Sequence, residues 1–362
     1  MEASRPAVQK IPISLLTGFL GSGKTTVLNY LLRQPAMANV MVIINEFGEI
    51  GLDHELVEKA SDDLVLLQSG CLCCTIRGDL IETLRSLYGR RSRAEIPQFD
   101  RVVIETTGLA DPAPILQAIM TDGLVMSGFQ LDGVISTVDA LAGGSTLDRH
   151  IEAVRQAAVA DRILLTKSDL VSERDCDALE QRLRGLNPAA PIHRIESGEV
   201  DPTLLFDVGL YNPATKSLDV QRWLRDDKFA KTPDHDHGRH GHEHHHDHSA
   251  NDVNRHDDHI RAISLIIDDP IPGEALDNWL RSLMQFRGPD LLRFKGIVNV
   301  AGMQGPMVLH GVQHVIYPPV VLKSWPSKDR RTRMVFITYD IDEKTLRKSL
   351  DQLTQEAQAG VS

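Results

Sequence analysis

The sequence predicts an α/β domain, with a mostly parallel sheet covered by helices on both faces, followed by a small α+β domain. Apolar runs of strand length alternate with helix-like segments from residue 11 to residue 195, which is typical of parallel sheets. This pattern stops at a segment rich in histidine and aspartate, and it resumes at residue 260. We therefore predict a disordered leader, an α/β domain, a linker with a histidine-rich part and an α+β domain, at residues 1–10, 11–210, 211–259 (histidine-rich at 233–259) and 260–362.

Largely apolar runs mark the predicted strands of the first domain, as expected of strands buried on both faces. They cover residues 11–16, 40–44, 64–67, 101–105, 131–139, 162–166 and 191–195. Helix-like segments fall at residues 26–33 and 79–88, after residue 112, and once between residues 139 and 162. In the second domain we predict strands at 260–267, 291–300, 307–317 and 333–339, and helices at 274–286 and from 342. In a parallel sheet, ligands bind at the carboxyl ends of the strands.

The stretch from Gly18 to Thr25 reads G-x-x-x-x-G-K-T and lies between the first strand and a helix. In that context the pattern is a phosphate-binding loop (P-loop): backbone N–H groups face the phosphates, and the helix N-terminus favours negative charge. Lys24 would reach the β- and γ-phosphates, and the Thr25 hydroxyl would hold Mg²⁺. The sequence therefore predicts a P-loop NTPase. Its expected nucleotide contacts are Gly18, Gly21, Ser22, Gly23, Lys24, Thr25 and Thr26.

Glu105 ends an apolar run and is followed by Thr-Thr-Gly108. An acid at this place can hold Mg²⁺ through water, and the Gly108 region can lie beside the γ-phosphate. The alternative is an ordinary acidic residue at a strand end. We take Glu105, together with Lys24 and Thr25, as the candidate catalytic set.

Thr166-Lys167-Ser-Asp169 also follows a predicted strand. The Asp169 carboxylate can accept hydrogen bonds from the N1–H and the exocyclic amine of guanine, whereas adenine presents an acceptor at that edge. A simple surface turn is the alternative. The pattern favours GTP as the nucleotide, with Thr166, Lys167 and Asp169 as its contacts.

Cys71, Cys73 and Cys74 are clustered just before a helix-like segment, where thiols ionise easily. Soft ligands at this density suit Zn²⁺, Cu⁺ or a related ion. Adjacent cysteines rarely both bind one ion, so the sequence leaves open whether two or all three do. Glu46 and His54 are candidates to complete the site, and a redox-active or merely buried cysteine cluster is the alternative.

Ten of the chain's fifteen histidines lie in residues 233–259, among seven acidic residues. Such a segment cannot bury enough apolar surface to fold, which predicts a flexible linker. Imidazoles at this density bind Zn²⁺, Ni²⁺ or Co²⁺ weakly at multiple sites, and a solvated spacer is the alternative. The candidate ligands are His235, His237, His240, His242, His244, His245, His246 and His248.

Composition excludes several classes of protein. A net charge of −11 without a basic stripe argues against a nucleic-acid binder. No stretch approaches the ~20 apolar residues of a membrane span, and the four cysteines do not form a disulfide framework. We expect a cytoplasmic protein that binds neither nucleic acid nor membrane.

The order GFLGSGKTT, INEFGE, CLCC, ETTGLADP and TKSD, followed by the histidine-rich linker and a small second domain, resembles the CobW-like metallochaperone GTPases. That family includes cobalamin-biosynthesis proteins, nitrile hydratase activators and zinc-transferring GTPases. The resemblance extends from residue 11 to about residue 350, and the C-X-C-C after a P-loop is its most specific element. It implies that Cys73 and Cys74 lead the metal site with Cys71 beside them, and that Glu46 lies in a mobile loop linking metal to nucleotide.

Two positions depart from the family pattern. Some relatives carry an acid immediately before Asn-Glu-Phe-Gly, where this chain has Ile44 and therefore no metal ligand. The guanine motif begins with Thr166 instead of the commoner asparagine.

The resemblance implies a Mg²⁺-dependent GTPase, forming GDP and phosphate, that delivers zinc or cobalt to a client protein. A metal buffer or sensor with a regulatory nucleotide site, and an activator of a cobalt or iron nitrile hydratase, are the alternatives. A nickel-insertion GTPase is a third alternative. The C-X-C-C and the separate C-terminal domain argue against it. The sequence leaves the client protein and the oligomeric state open, and a homodimer is one of the possible assemblies.

Overall fold

The computed structural model describes residues 10–47, 64–69, 74–206 and 259–359, with the backbone alone for 45–47, 64–69, 74–77 and 352–359. The first domain is built on one sheet of seven strands, in which every neighbouring pair is parallel. The strands are β1 (Ile11–Gly18), β2 (Val40–Phe47), β3 (Leu64–Ser69), β4 (Arg101–Glu105), β5 (Phe129–Asp139), β6 (Arg162–Thr166) and β7 (Ile192–Arg194). Their order is β3-β2-β4-β1-β5-β6-β7, so β1 is central.

Helices cover both faces of this sheet, which confirms the predicted architecture. They are α1 (Lys24–Leu32), α2 (Cys74–Ser92), α3 (Pro112–Thr121), α4 (Gly123–Gly128), α5 (Gly143–Arg149), α6 (Ile151–Val159) and α7 (Glu173–Leu186). Successive side chains of β1 show the two layers: Leu15 packs into a core with α2 and α3, whereas Leu16 packs with α1. Burial on both faces explains why these strands read as apolar runs in the sequence.

Several elements differ from the sequence-based expectation. β2 continues through Phe47, because β3 pairs with it as far as Phe47 and Ser69, so residues 45–47, which were expected in a polar loop, belong to the strand. α2 begins at Cys74 rather than near Asp79. Two helices connect β5 to β6 where one was expected, because the extended conformation of His150 (φ −131°, ψ 107°) separates α5 from α6.

The second domain is an antiparallel sheet packed against two helices. Its elements are β8 (Ile260–Ile267), α8 (Gly273–Arg287), β9 (Leu291–Val298), β10 (Met307–Val312), β11 (Val315–Ile316), β12 (Val320–Val321), β13 (Thr332–Tyr339) and α9 (Glu343–Ala359). The strand order is β11-β10-β9-β13-β8, and β12 pairs with β10. The core centres on Phe336, whose ring lies 5.9 Å from those of Trp279 and Phe294. The predicted α+β character is thus confirmed.

A buried ion pair joins the two domains. Asp161, in the turn between α6 and β6, accepts a hydrogen bond from Arg293 and lies 3.1 Å from the Lys295 ammonium, both on β9. Arg293 also donates to the carbonyl of Val159, the last residue of α6. Burial alone would raise the pKa of Asp161, but the charges of Arg293 and Lys295 and a hydrogen bond from the Val134 N–H hold it well below its usual value. The carboxylate therefore stays charged between the domains.

Among the helices that the structure describes, none is both long and apolar enough to cross a membrane.

Candidate nucleotide-binding site

The P-loop connects β1 to α1 at the carboxyl edge of the sheet. Gly23 caps the start of α1 with a positive φ of 89°, which favours glycine. Gly18 is required for a different reason: a Cβ there would lie 2.2 Å from the Thr137 hydroxyl oxygen. Ser22, which is buried, closes the loop through its N–H to the Phe19 carbonyl at 3.1 Å. The loop is therefore wrapped tightly against β5, with the N-terminus of α1 behind it. Gly21 is an exposed loop residue, and Thr26 is an exposed residue of α1.

Lys24 is buried at the start of α1, and its side chain bends back over the loop. The Nζ donates hydrogen bonds to the carbonyls of Gly18 at 2.9 Å and Phe19 at 3.2 Å. The ammonium therefore lies against the backbone of the loop itself, where phosphate oxygens can replace carbonyls as acceptors.

The P-loop and the end of β4 meet through two side chains. The Thr25 hydroxyl donates to Glu105 Oε1 at 3.0 Å, and Glu105 is only 5% exposed. They meet because β4 pairs directly with β1, with Glu105 opposite Leu16. A hydroxyl and a carboxylate are hard oxygen ligands of the kind that Mg²⁺ prefers, so these residues fit that ion.

The segment after Glu105 touches the P-loop. A Cβ on Gly108 would lie 2.6 Å from the Leu20 backbone nitrogen, so only glycine permits this approach. Gln156 of α6 also holds this segment, donating to the carbonyls of Gly108 and Ala110. Sequence reasoning missed Gln156, because a glutamine inside a helix gives no local signal of its partner.

The Thr166–Asp169 segment adjoins the P-loop on its other flank. The Thr166 hydroxyl lies 2.8 Å from the Ser22 carbonyl, to which it donates. Lys167, at a positive φ of 57°, donates to the Gly21 carbonyl at 2.9 Å and to the Asp139 carboxylate at 2.6 Å. Asp169 follows in a short exposed turn. Threonine at the first motif position thus fixes the P-loop backbone, and the carboxylate of Asp169 is left accessible. Asp139, at the end of β5, was also missed by sequence reasoning.

The candidate metal ligands are only partly within the described residues. Several candidates lie outside them, namely Cys71, Cys73, His54, His235, His237, His240, His242, His244, His245, His246 and His248. Glu46 is in β2 opposite Gln68 of β3, and Cys74 begins α2. Since β2 and β3 are parallel neighbours, Glu46 lies at the sheet edge from which the chain leaves toward the cysteines. Across the part of the chain with described side chains, no cluster of three His, Cys, Asp or Glu residues is placed to hold a metal.

Comparison with known proteins identifies both domains. Residues 12–194 match the nucleotide-binding domain of the CobW/HypB/UreG family, and residues 260–354 match the C-terminal domain of the cobalamin synthesis protein CobW. The chain belongs to the CobW family. The resemblance seen in the sequence is thereby confirmed.

Several members of the CobW family are similar over most of the chain. The zinc chaperone YjiA of Escherichia coli is 31% identical over 337 residues, covering 93% of this chain and 96% of YjiA. The zinc chaperone CobW of a Sinorhizobium species is 29% identical and covers 98% of this chain and 100% of its own length. The zinc-regulated GTPase metalloprotein activator 1 of Schizosaccharomyces pombe is 32% identical over 59% of this chain and 53% of its own length.

Solved structures of YjiA share this fold. The zinc-bound E. coli YjiA GTPase matches with a TM-score of 0.67 and 27% identity, covering 95% of this chain and 99% of that one. A zinc-bound triple variant of YjiA, in which one glutamate and two consecutive cysteines are replaced by alanine, matches with a TM-score of 0.68 and 26% identity.

Proposed function

We propose that this CobW-family protein is a GTP-hydrolysing metallochaperone that binds Zn²⁺ and transfers it to a client protein. The observation that carries the GTPase part is the meeting of the P-loop with the end of β4, through the 3.0 Å contact of Thr25 with Glu105. It places an ammonium group, a hydroxyl and a carboxylate around one loop at the carboxyl edge of the sheet. P-loop NTPases use these groups to bind the phosphates and Mg²⁺ during phosphoryl transfer.

The roles of the P-loop follow from this geometry. Backbone N–H groups at the start of α1 bind phosphate oxygens, and Lys24 exchanges its carbonyl acceptors for the β- and γ-phosphates. Thr25 and Glu105 would hold Mg²⁺, which when bound neutralises charge on the transferred phosphate. Gly108 keeps the following segment close enough to reach the γ-phosphate.

Guanine recognition falls to Asp169. Its exposed carboxylate can accept two hydrogen bonds from the guanine edge, while Thr166 and Lys167 tie the same segment to the P-loop. We expect Asp169→Asn to shift binding from GTP toward the xanthine nucleotide, because an amide donates to the carbonyl that replaces the guanine amine. Competition binding measures this, and full retention of GTP preference would show that another residue reads the base.

The cargo site is proposed at Cys71, Cys73 and Cys74, with Glu46 as an oxygen ligand. Thiolates and a carboxylate suit Zn²⁺, and relatives that cover nearly the whole chain are named zinc chaperones. The residues replaced in the YjiA triple variant, one glutamate and two consecutive cysteines, have the residue types of Glu46, Cys73 and Cys74. These names favour zinc over cobalt.

The histidines of residues 233–259 are proposed as weak secondary ligands. They lie between the two regions that match the family, 12–194 and 260–354. Replacing residues 233–259 by a short Gly/Ser segment should lower total bound Zn²⁺ and spare one tight site, which equilibrium dialysis can count. Loss of the tight site would assign it to the histidines instead of the cysteines.

GTP turnover by the full chain tests the proposal directly. With Mg²⁺ present we expect hydrolysis to GDP and phosphate, and a tight Zn²⁺ site that the double substitution Cys73→Ser/Cys74→Ser removes. Zinc binding without any GTP turnover would support a buffer or sensor instead. A matched control is Cys176→Ser, which changes a buried cysteine of α7 and should leave the tight zinc site intact.

A further inference from the structure

Gln156 is a buried polar side chain that contacts the segment after Glu105. It lies in α6 and is 1% exposed. Its amide nitrogen donates to the Gly108 carbonyl at 3.1 Å and to the Ala110 carbonyl at 3.0 Å. One side chain therefore uses both of its N–H groups to hold two points of the segment that follows Glu105.

The contacts with Gln156 fix which way the peptide groups of this segment face. A trans peptide directs its C=O and its N–H to opposite sides. With the Gly108 carbonyl held toward α6, the Leu109 N–H points away from α6. The same segment also lies against the P-loop at Leu20. Gln156 thus determines how the backbone of the segment is presented to the phosphate site.

The helix that carries Gln156 is itself firmly anchored. The Asn187 side chain donates from 2.9 to 3.0 Å to the carbonyls of Ala157, Ala158 and Ala160 at the end of α6. Arg293 of the second domain donates to the last carbonyl of the helix. Because these bonds satisfy the orphan carbonyls of a helix end, α6 is a stable support for a residue that must hold a loop in place.

We infer that Gln156 is a positioning residue for GTP hydrolysis, holding the Gly108–Ala110 segment where the γ-phosphate and the attacking water meet. The inference rests on the proposed GTPase function. Since the P-loop and the Thr166–Asp169 segment bind the rest of the nucleotide, loss of Gln156 should lower kcat and spare KM. Misplacement of a catalytic segment by about 1 Å can cost about 100-fold in rate.

Two substitutions test this in the full chain with Mg²⁺ and GTP. Gln156→Met keeps the volume and removes both donors, and we expect kcat to fall about 10- to 100-fold with KM for GTP changed less than about threefold. Gln156→Glu can donate one hydrogen bond while the acid is protonated, and burial beside two carbonyls raises the pKa of such a carboxyl. Its kcat relative to the unsubstituted protein should therefore fall as the pH rises from 6 to 9.

The matched control is Gln181→Glu, the same substitution at an exposed position of α7, which should show the kcat and pH profile of the unsubstituted protein. Unchanged kcat in both Gln156 variants, or a loss confined to KM, would overturn the inference. A pH-independent loss in Gln156→Glu together with lowered thermal stability in both variants would show that Gln156 only stabilises the fold. Absence of hydrolysis by the unsubstituted protein would instead overturn the proposed function.

Discussion

Two buried cations, Lys24 in the P-loop and Arg293 at the domain boundary, are held in different ways. The Lys24 ammonium donates to neutral carbonyls of its own loop, at 2.9 Å for Gly18. Arg293 faces the carboxylate of Asp161. A phosphate oxygen can replace a carbonyl beside Lys24, whereas a second anion beside Arg293 would have to displace or approach the Asp161 carboxylate. The first arrangement suits binding and release, and the second suits permanent attachment.

The two regions lie at opposite edges of one sheet. Asp161 immediately precedes β6, and Thr166 of the nucleotide site ends it. Helix α6 contacts both regions. Its Gln156 donates a hydrogen bond to the Gly108 carbonyl, and its last carbonyl, that of Val159, accepts one from Arg293. Helix α6 and strand β6 thus lie between the nucleotide site with Lys24, at one edge of the sheet, and the Asp161–Arg293 ion pair at the other.

The largest effect is expected from Lys24→Ala. GTP hydrolysis should fall by about 1000-fold or more, because the charge on the transferred phosphate loses its main protein partner. The free energy of unfolding should fall by no more than about 1–3 kcal/mol, because the substitution leaves neutral carbonyls, not a charge, without a donor. Turnover assays and urea titrations measure the two quantities. Hydrolysis at the unsubstituted rate would remove the P-loop from the mechanism.

Asp161→Asn should have the opposite effect, with a large loss of stability and little change at the nucleotide site. It leaves the buried Arg293 and the largely buried Lys295 without a counter-ion, so the free energy of unfolding should fall by about 3–5 kcal/mol while GTP affinity is retained. Asp277→Asn is the control, because its ion pair with Arg281 is well exposed (60% and 75%) and should contribute about 1 kcal/mol or less. Equal losses in the two variants would show that the buried ion pair of Asp161 does not stabilise the fold more than an exposed one.

A smaller, pH-dependent effect is expected from Lys295. Burial lowers its pKa from 10.5 to about 8, although Asp161 opposes this. Between pH 8 and 10.5 the unfolded chain therefore binds the proton more tightly than the folded chain, and raising the pH favours folding. The stability of the protein relative to Lys295→Met should increase by on the order of 2 kcal/mol from pH 7.5 to 10. A difference that stays constant or decreases would contradict the buried placement of this ammonium.

The sequence predicted the parts of the molecule whose signal is local. Gly18 to Thr25 carries the P-loop in consecutive residues, and the apolar runs of a doubly covered sheet are visible strand by strand. Because the carboxyl ends of parallel strands meet at one edge of a sheet, the strand that ends at Glu105 could be expected to bring this acid near Thr25.

The missed features depend on residues far apart in the chain. Asp161 and Arg293 are 132 positions apart, and Gln156 and Gly108 are 48 apart. Asp161 reads as a polar turn residue and Arg293 as a charge within a strand, so neither shows that it is buried. The end of β2 was misplaced for a similar reason: polar residues such as Glu46 continue as strand because β3 supplies the pairing.

We expect nucleotide binding and metal binding to be coupled in this CobW-family protein. Glu46 lies in β2, and the cysteines follow β3, two strands that end at the same sheet edge as the P-loop. If nucleotide and Zn²⁺ are coupled through that edge, each must change the affinity of the other by the same factor, about 5- to 150-fold for a coupling of about 1–3 kcal/mol.

Titration of Zn²⁺ against a competing chelator, with Mg²⁺ and either a non-hydrolysable GTP analogue or GDP, measures this coupling directly. We expect Zn²⁺ affinities that differ between the two nucleotide states by at least about fivefold. The difference should vanish in Cys73→Ser/Cys74→Ser and persist when residues 233–259 are replaced. Equal Zn²⁺ affinities in the two states would contradict nucleotide-controlled delivery and leave a metal buffer.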